Sequence, residues 1–222
     1  MATPKGKSNF ARWPQAPGYS LVELLVASAV IVIVLLAVYM VYDTGIQDYA
    51  RGTARADVQQ NVRVALESMA RELRTAGYAA SNIPNADCAA PPCAVTALTS
   101  SSVTFQAEVD GDTQTDKVIY TFVPASDPTK PCDSSDPTTV GRLIRSTQAW
   151  NGTGWNPPTP TAYDVAQCVT SLTMTYYDSS GATTTSPANV RRINIAIVGT
   201  ENVRGLSARI YTLTSDVRLR NL

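Results

Sequence analysis

Two hydrophobic patterns follow one another in the first third of the chain, and a third fills the rest. From Leu24 to Tyr42 the sequence reads LLVASAVIVIVLLAVYMVY, without a charge, a glycine or a proline. A helix rises by about 1.5 Å per residue, so this run roughly matches a hydrocarbon core of ~30 Å. It is apolar on every side, which calls for lipid or complete burial. Further on, Val58, Val62, Leu66, Met69, Leu73 and Ala76 recur at steps of three and four and draw a single stripe along a helix. Arg55, Asp57, Arg63, Glu67, Arg71, Glu72 and Arg74 take much of the remaining surface. Arg63–Glu67 and Glu67–Arg71 have the spacing of helical ion pairs, each contributing a few tenths of a kcal/mol. Gly77 reads as the cap and Pro84 as the stop. Residues 20–76 therefore read as one helix of about 85 Å, its first half for lipid and its second half for a head domain. Gly45 and Gly52 lie between the halves and weaken the helix by about 1 kcal/mol each relative to alanine. They are either a place where it bends or melts, or tolerated surface glycines.

Past Ser81 the composition turns to Thr, Ser, Pro and Val and the helical stripe ends. Val103–Val109 and Lys117–Val123 alternate in polarity around the turn residues Asp110, Gly111 and Asp112, which predicts a β-hairpin. Val140–Gln148, Val169–Tyr177, Val190–Val198 and Ala208–Arg218 are further strand candidates. Short strands with no helix between them predict an antiparallel sheet packed on the amphipathic half of the helix, an α+β head. Trp150 and Trp155 sit in a Gly/Asn/Pro-rich loop, either as its anchors or as an exposed contact site.

Composition narrows the chemistry. The 222 residues contain no histidine, so His-based triads, general bases and metal ligands are excluded, and nothing suggests a catalytic set, a cofactor or a small-molecule substrate. Charges balance at 18 against 18, which gives no reason to expect capture of nucleic acid by the whole chain. The four cysteines, Cys88, Cys93, Cys132 and Cys168, are spaced too loosely for a four-thiolate zinc site; they read as disulfides in an oxidising compartment, with zinc and free thiols as the competing readings. Three pairings are open, among them Cys88–Cys93 with Cys132–Cys168. Asp110, Asp112 and Asp116 begin like a calcium loop, but Thr121 stands where an EF-hand needs glutamate, and turn chemistry explains them better.

The segment before the apolar run holds the most specific signal. Lys5, Lys7 and Arg12 precede it and Asp43 and Asp48 follow, which by the positive-inside rule predicts a cytoplasmic N-terminus and a periplasmic head. A secretory signal peptide would have a shorter apolar region and a small-x-small cleavage site after it, which LLAVYMVYDTG lacks. Glu23 is a carboxylate inside the start of the apolar run, where it costs a few kcal/mol and marks function or a partner; the bland alternative is that it snorkels to the interface. A cut after Gly18 would make Tyr19 the first residue and Glu23 the fifth, so that one subunit's new amine could neutralise its neighbour's carboxylate. Without residues 1–18 the chain keeps 15 basic against 18 acidic residues.

PGYSLVELLVA resembles the class III prepilin signal: a short basic leader ending in glycine, then an aromatic or apolar first residue and glutamate at position five. The resemblance implies cleavage after Gly18 by the prepilin peptidase and N-methylation of Tyr19, although tyrosine stands where phenylalanine is usual. QQNVRVALESMARELRTAGY and the final YTLTSDVRLRNL are similar to the W-type minor pilins and the related J-type pseudopilins. This implies the type IV pilin fold: leader 1–18, membrane and assembly helix 19–42, amphipathic helix 43–79 and periplasmic β-rich head 80–222. The expected function is that of a minor pilin in the inner membrane or at a filament tip, with major and minor pilins as partners. A J-type pseudopilin of a type II secretion system is the alternative. A DNA-binding pilin for uptake or adhesion is another, for which Arg191, Arg192, Arg204 and Arg209 would have to form a patch.

Overall fold

A computed structural model describes residues 18–78, 94–111, 115–126, 141–150, 154–156, 162–201 and 209–221. It divides into two compact units, Met1–Asp48 and Tyr49–Leu222. Helix α1, Leu21–Thr75, begins in the first and ends in the second.

In the first unit the helix is exposed throughout its described length, as a run without a polar face must be when nothing else covers it. The turns pass unbroken through Gly45, and through Gly52 in the second unit. A Cβ added at either would meet nothing within 4 Å. No melted turn interrupts the helix at either glycine.

In the second unit α1 buries Val58, Val62, Ala65, Leu66, Met69, Ala70 and Leu73, the predicted stripe widened by two alanines. Two antiparallel sheets supply the rest of the core. The first holds β1 (Val95–Leu98), β2 (Ser102–Ala107), β3 (Asp116–Val123), β4 (Arg142–Ala149) and β5 (Tyr163–Gln167), paired in that order. The second holds β6 (Val169–Tyr177), β7 (Arg192–Glu201) and β8 (Arg209–Arg218), with a short 3₁₀ turn at Pro187–Asn189. Alternation decides which side faces inwards. Val118 and Tyr120 of β3, and Ile193, Ile195 and Ile197 of β7, are fully buried, while the residues between them are partly exposed. Full burial of each such side chain stabilises by about 1.5–3 kcal/mol.

All six strands expected from alternation are present within a few residues of their predicted bounds. The differences are informative. The expected single sheet is two, and β1 and β5 were not foreseen, being short and irregular in pattern. The sheets are joined at Cys168, which has a left-handed φ of 63° and separates β5 from β6. Around it Val169 N–H donates to the Gly141 carbonyl (3.0 Å) and Thr200 N–H to the Cys168 carbonyl (2.9 Å). A Cβ on Gly141 would lie 2.0 Å from the Val169 carbonyl oxygen, so only glycine fits this crossing.

Glu72 corrects its expected placement on the helix surface. It accepts from Arg145 Nε at 2.8 and 3.0 Å and from the Tyr120 hydroxyl at 3.0 Å, bridging α1 to the first sheet. Burial raises the Tyr120 hydroxyl pKa and the Glu72 charge raises it further. Burial opposes the charge on Arg145, but hydrogen bonding and attraction to Glu72 outweigh it and hold that guanidinium more firmly protonated. The Arg63–Glu67 pair forms at 3.0 Å, whereas no Glu67–Arg71 bridge is present among the described residues. Gly77 does end the helix, with φ 80° and its N–H on the Gln106 carbonyl at 2.9 Å. Asn221 Nδ2 donates to the carbonyls of Thr75 and Ala76 at 3.4 Å, covering the last turn.

Candidate functional site

The first helical hydrogen bond runs from Leu24 N–H to the Ser20 carbonyl at 3.1 Å. Ser20 therefore holds the N-cap position, and Glu23, three residues on, lies in the first turn. Serine and glutamate at this spacing are the residues of a capping box, in which the acid satisfies a free N–H at the helix start. A carboxylate there also meets the positive end of the helix dipole. Neither side chain makes a capping hydrogen bond among the described residues, so the dipole is the local support that the helix start offers Glu23.

Gly18 and Tyr19 precede this cap without regular structure, and Tyr19 is 86% exposed. A Cβ at Gly18 would meet nothing within 4 Å. No packing among the described residues demands the glycine. Leu24, Leu25, Val30, Leu36 and Tyr42 are all more than half exposed behind it. Over its most apolar stretch the helix has a mean hydropathy of 3.0 with nothing buried, and among the described residues it is the one helix long and apolar enough to cross a membrane.

Residues 15–39 match the prokaryotic N-terminal methylation motif. That motif indicates a type IV pilin-like prepilin. The match covers Gly18, Tyr19 and Glu23, and the long helix with its antiparallel sheets is a type IV pilin-like arrangement. No curated protein matches the chain.

The remaining sequence-predicted residues fall elsewhere. Cys168 is disulfide-bonded at the crossing between the sheets; Cys88, Cys93 and Cys132 lie outside the described residues. Asp110 sits beside Gly111, whose N–H donates to the Glu108 carboxylate, and Asp116 is buried at the start of β3; Asp112 lies outside the described residues. Among the described residues no three His, Cys, Asp or Glu side chains gather as metal ligands. Trp150 and Trp155 pair edge-on across an antiparallel bridge, ring centroids 5.3 Å apart, with the Lys117 ammonium 5.2 Å from the Trp155 ring. They are half-buried anchors of their loop. Arg191 and Arg192 are neighbours at the start of β7, while Arg209 lies at its far end, across from Glu201; Arg204 is outside the described residues.

Proposed function

We propose that this prepilin-like chain is a minor pilin that takes part in assembling or initiating a type IV pilus. One observation carries the reading: a carboxylate, Glu23, heads an uninterrupted exposed apolar helix inside a methylation motif that begins before Gly18. In this reading the prepilin peptidase cuts between Gly18 and Tyr19, the new amine of Tyr19 is methylated, and that amine answers Glu23 of an adjacent subunit. The apolar helix, anchored in the inner membrane with the head in the periplasm, becomes part of the filament's shared helical core, and the head selects neighbours. Residues 1–18 block assembly until removed, because Tyr19 has no free amine before then. The four cysteines form two disulfides that pin the loops of the head. The mechanism is assembly, and no reaction is assigned to the chain.

The mass of the mature N-terminus from native cells tests this directly. The expected product starts at N-methylated Tyr19, and Gly18→Ala is expected to leave the precursor uncut. Because an alanine at position 18 clashes with nothing, a failure to mature reflects recognition by the peptidase and not misfolding. A native protein beginning at Met1 would sink the proposal. Glu23→Gln keeps the size and polarity of the side chain and removes its charge, so it is expected to assemble as poorly as Glu23→Ala; assembly at the wild-type level would count against charge pairing. A J-type pseudopilin built by the same physics is the second reading, because the wording of residues 59–78 resembles J-type pseudopilins as well as W-type minor pilins.

A further inference from the structure

We propose that the outer face of the second sheet, at the end where β7 begins and β8 finishes, is a binding pocket for a phosphate group. Tyr177, Arg192 and Arg218 stand side by side in one cross-strand row over β6, β7 and β8. Directly opposed like charges destabilise a sheet, yet here two arginines are opposed in register and Arg191 precedes them in the chain. What holds them is chiefly not a carboxylate. Arg192 lies 4.1 Å from the centroid of the Tyr177 ring and has only a long approach, 3.9 Å, to Asp216. Arg191 Nη1 donates to the carbonyls of Ala188 (3.0 Å) and Val190 (2.9 Å). Arg218 has no ion pair among the described residues.

Guanidiniums oriented by a ring face and by backbone carbonyls keep their charge available, unlike those used up in an ion-pair network. They border a cavity of about 520 Å³, lined also by Asp178, Ser180 and Gly181. Asp178 is the acid that lines the cavity, and its Oδ1 is taken up by the turn, accepting from Ser180 Oγ (2.7 Å), Ser180 N–H (2.9 Å) and Ala182 N–H (3.0 Å). Gly181 closes that turn with φ 87°. Three arginines bordering one cavity suit a tetrahedral oxyanion better than a planar carboxylate, which one arginine fork already satisfies. The cavity exceeds a lone phosphate, so the ligand class is a phosphate ester of a small organic group. The pocket is distinct from the start of α1 and independent of the pilin reading.

The full-length protein in detergent, titrated calorimetrically at low salt with inorganic phosphate, glycerol 3-phosphate and dimethyl phosphate, tests it. Saturable binding is expected, weakening as chloride is added. Arg218→Gln removes no hydrogen bond or ion pair among the described residues and is expected to weaken binding about tenfold, the equivalent of about 1.4 kcal/mol for one charge-assisted contact. Arg191→Gln reaches the same loss by a second route, and Arg63→Gln, on the helix, leaves binding unchanged. Preference for glycerol 3-phosphate identifies a monoester dianion, and preference for dimethyl phosphate a diester. No saturable binding to any of the three, or an Arg218→Gln affinity equal to wild type, overturns the proposal.

Discussion

One helix carries two opposite solutions to the same problem. Leu36 in its first part is 55% exposed and Leu73 in its last part is fully buried, though both are leucines in regular α-helix. Between Leu24 and Tyr42 every face is apolar, so no rotation of the helix could hide it against one sheet. Between Val58 and Ala76 a stripe suffices, because two sheets and a capped end supply the cover. The lesson is that the second part completes its fold within this chain, while the first needs lipid or other subunits.

Breaking the second part should therefore show in the head alone. The largest effect is expected from Glu72→Ala, which strands the Arg145 guanidinium, 10% exposed, and removes the acceptor of Tyr120. Denaturant unfolding should reveal a loss of about 3–5 kcal/mol, as when one partner of a buried pair is deleted. The comparison itself is sharpened by a pair of matched truncations. Leu73→Ala should lower stability by about 2–5 kcal/mol, and Leu36→Ala should stay within about 0.5 kcal/mol in the same assay. Equal losses would mean that the apolar run is folded into the head.

The smallest effect concerns pH. Burial raises the hydroxyl pKa values of Tyr120 and Tyr176 above the unfolded value of 10.0. Their contribution is complete below pH 10 and is lost as pH rises through the folded values, because the unfolded chain ionises first. Unfolding midpoints should be flat from neutral to about pH 9 and fall above pH 10. Tyr176→Phe, which gives up the hydroxyl bond to the Thr99 carbonyl at 2.9 Å, should make that fall shallower. An unchanged alkaline slope would count against the assignment.

What the sequence revealed was what repeats locally. The membrane-length run, the stripe from Val58 to Ala76, the glycine cap and six strands all write a period of 3.6 or 2 into neighbouring residues. Long-range choices leave no such trace. Glu72 meets Arg145 across 73 positions, so its burial could not be read from a helix where it looked like one more surface charge. The one expected sheet becomes two at Cys168, where the backbone is left-handed, a local choice that no sequence period records. Arg192 and Arg218 become neighbours only through the β7–β8 register. Of the candidate site, Gly18, Tyr19 and Glu23 were legible because residue types there must coincide within a few positions.

The crossing at Cys168 has a thermodynamic consequence. Its carbonyl is claimed by β7, while the next amide is claimed by Gly141 at the entrance to β4. Opening either sheet at that edge robs the other of a strand end, so neither makes a stable intermediate by itself. The head should melt in a single cooperative step, with calorimetric and van't Hoff enthalpies in agreement.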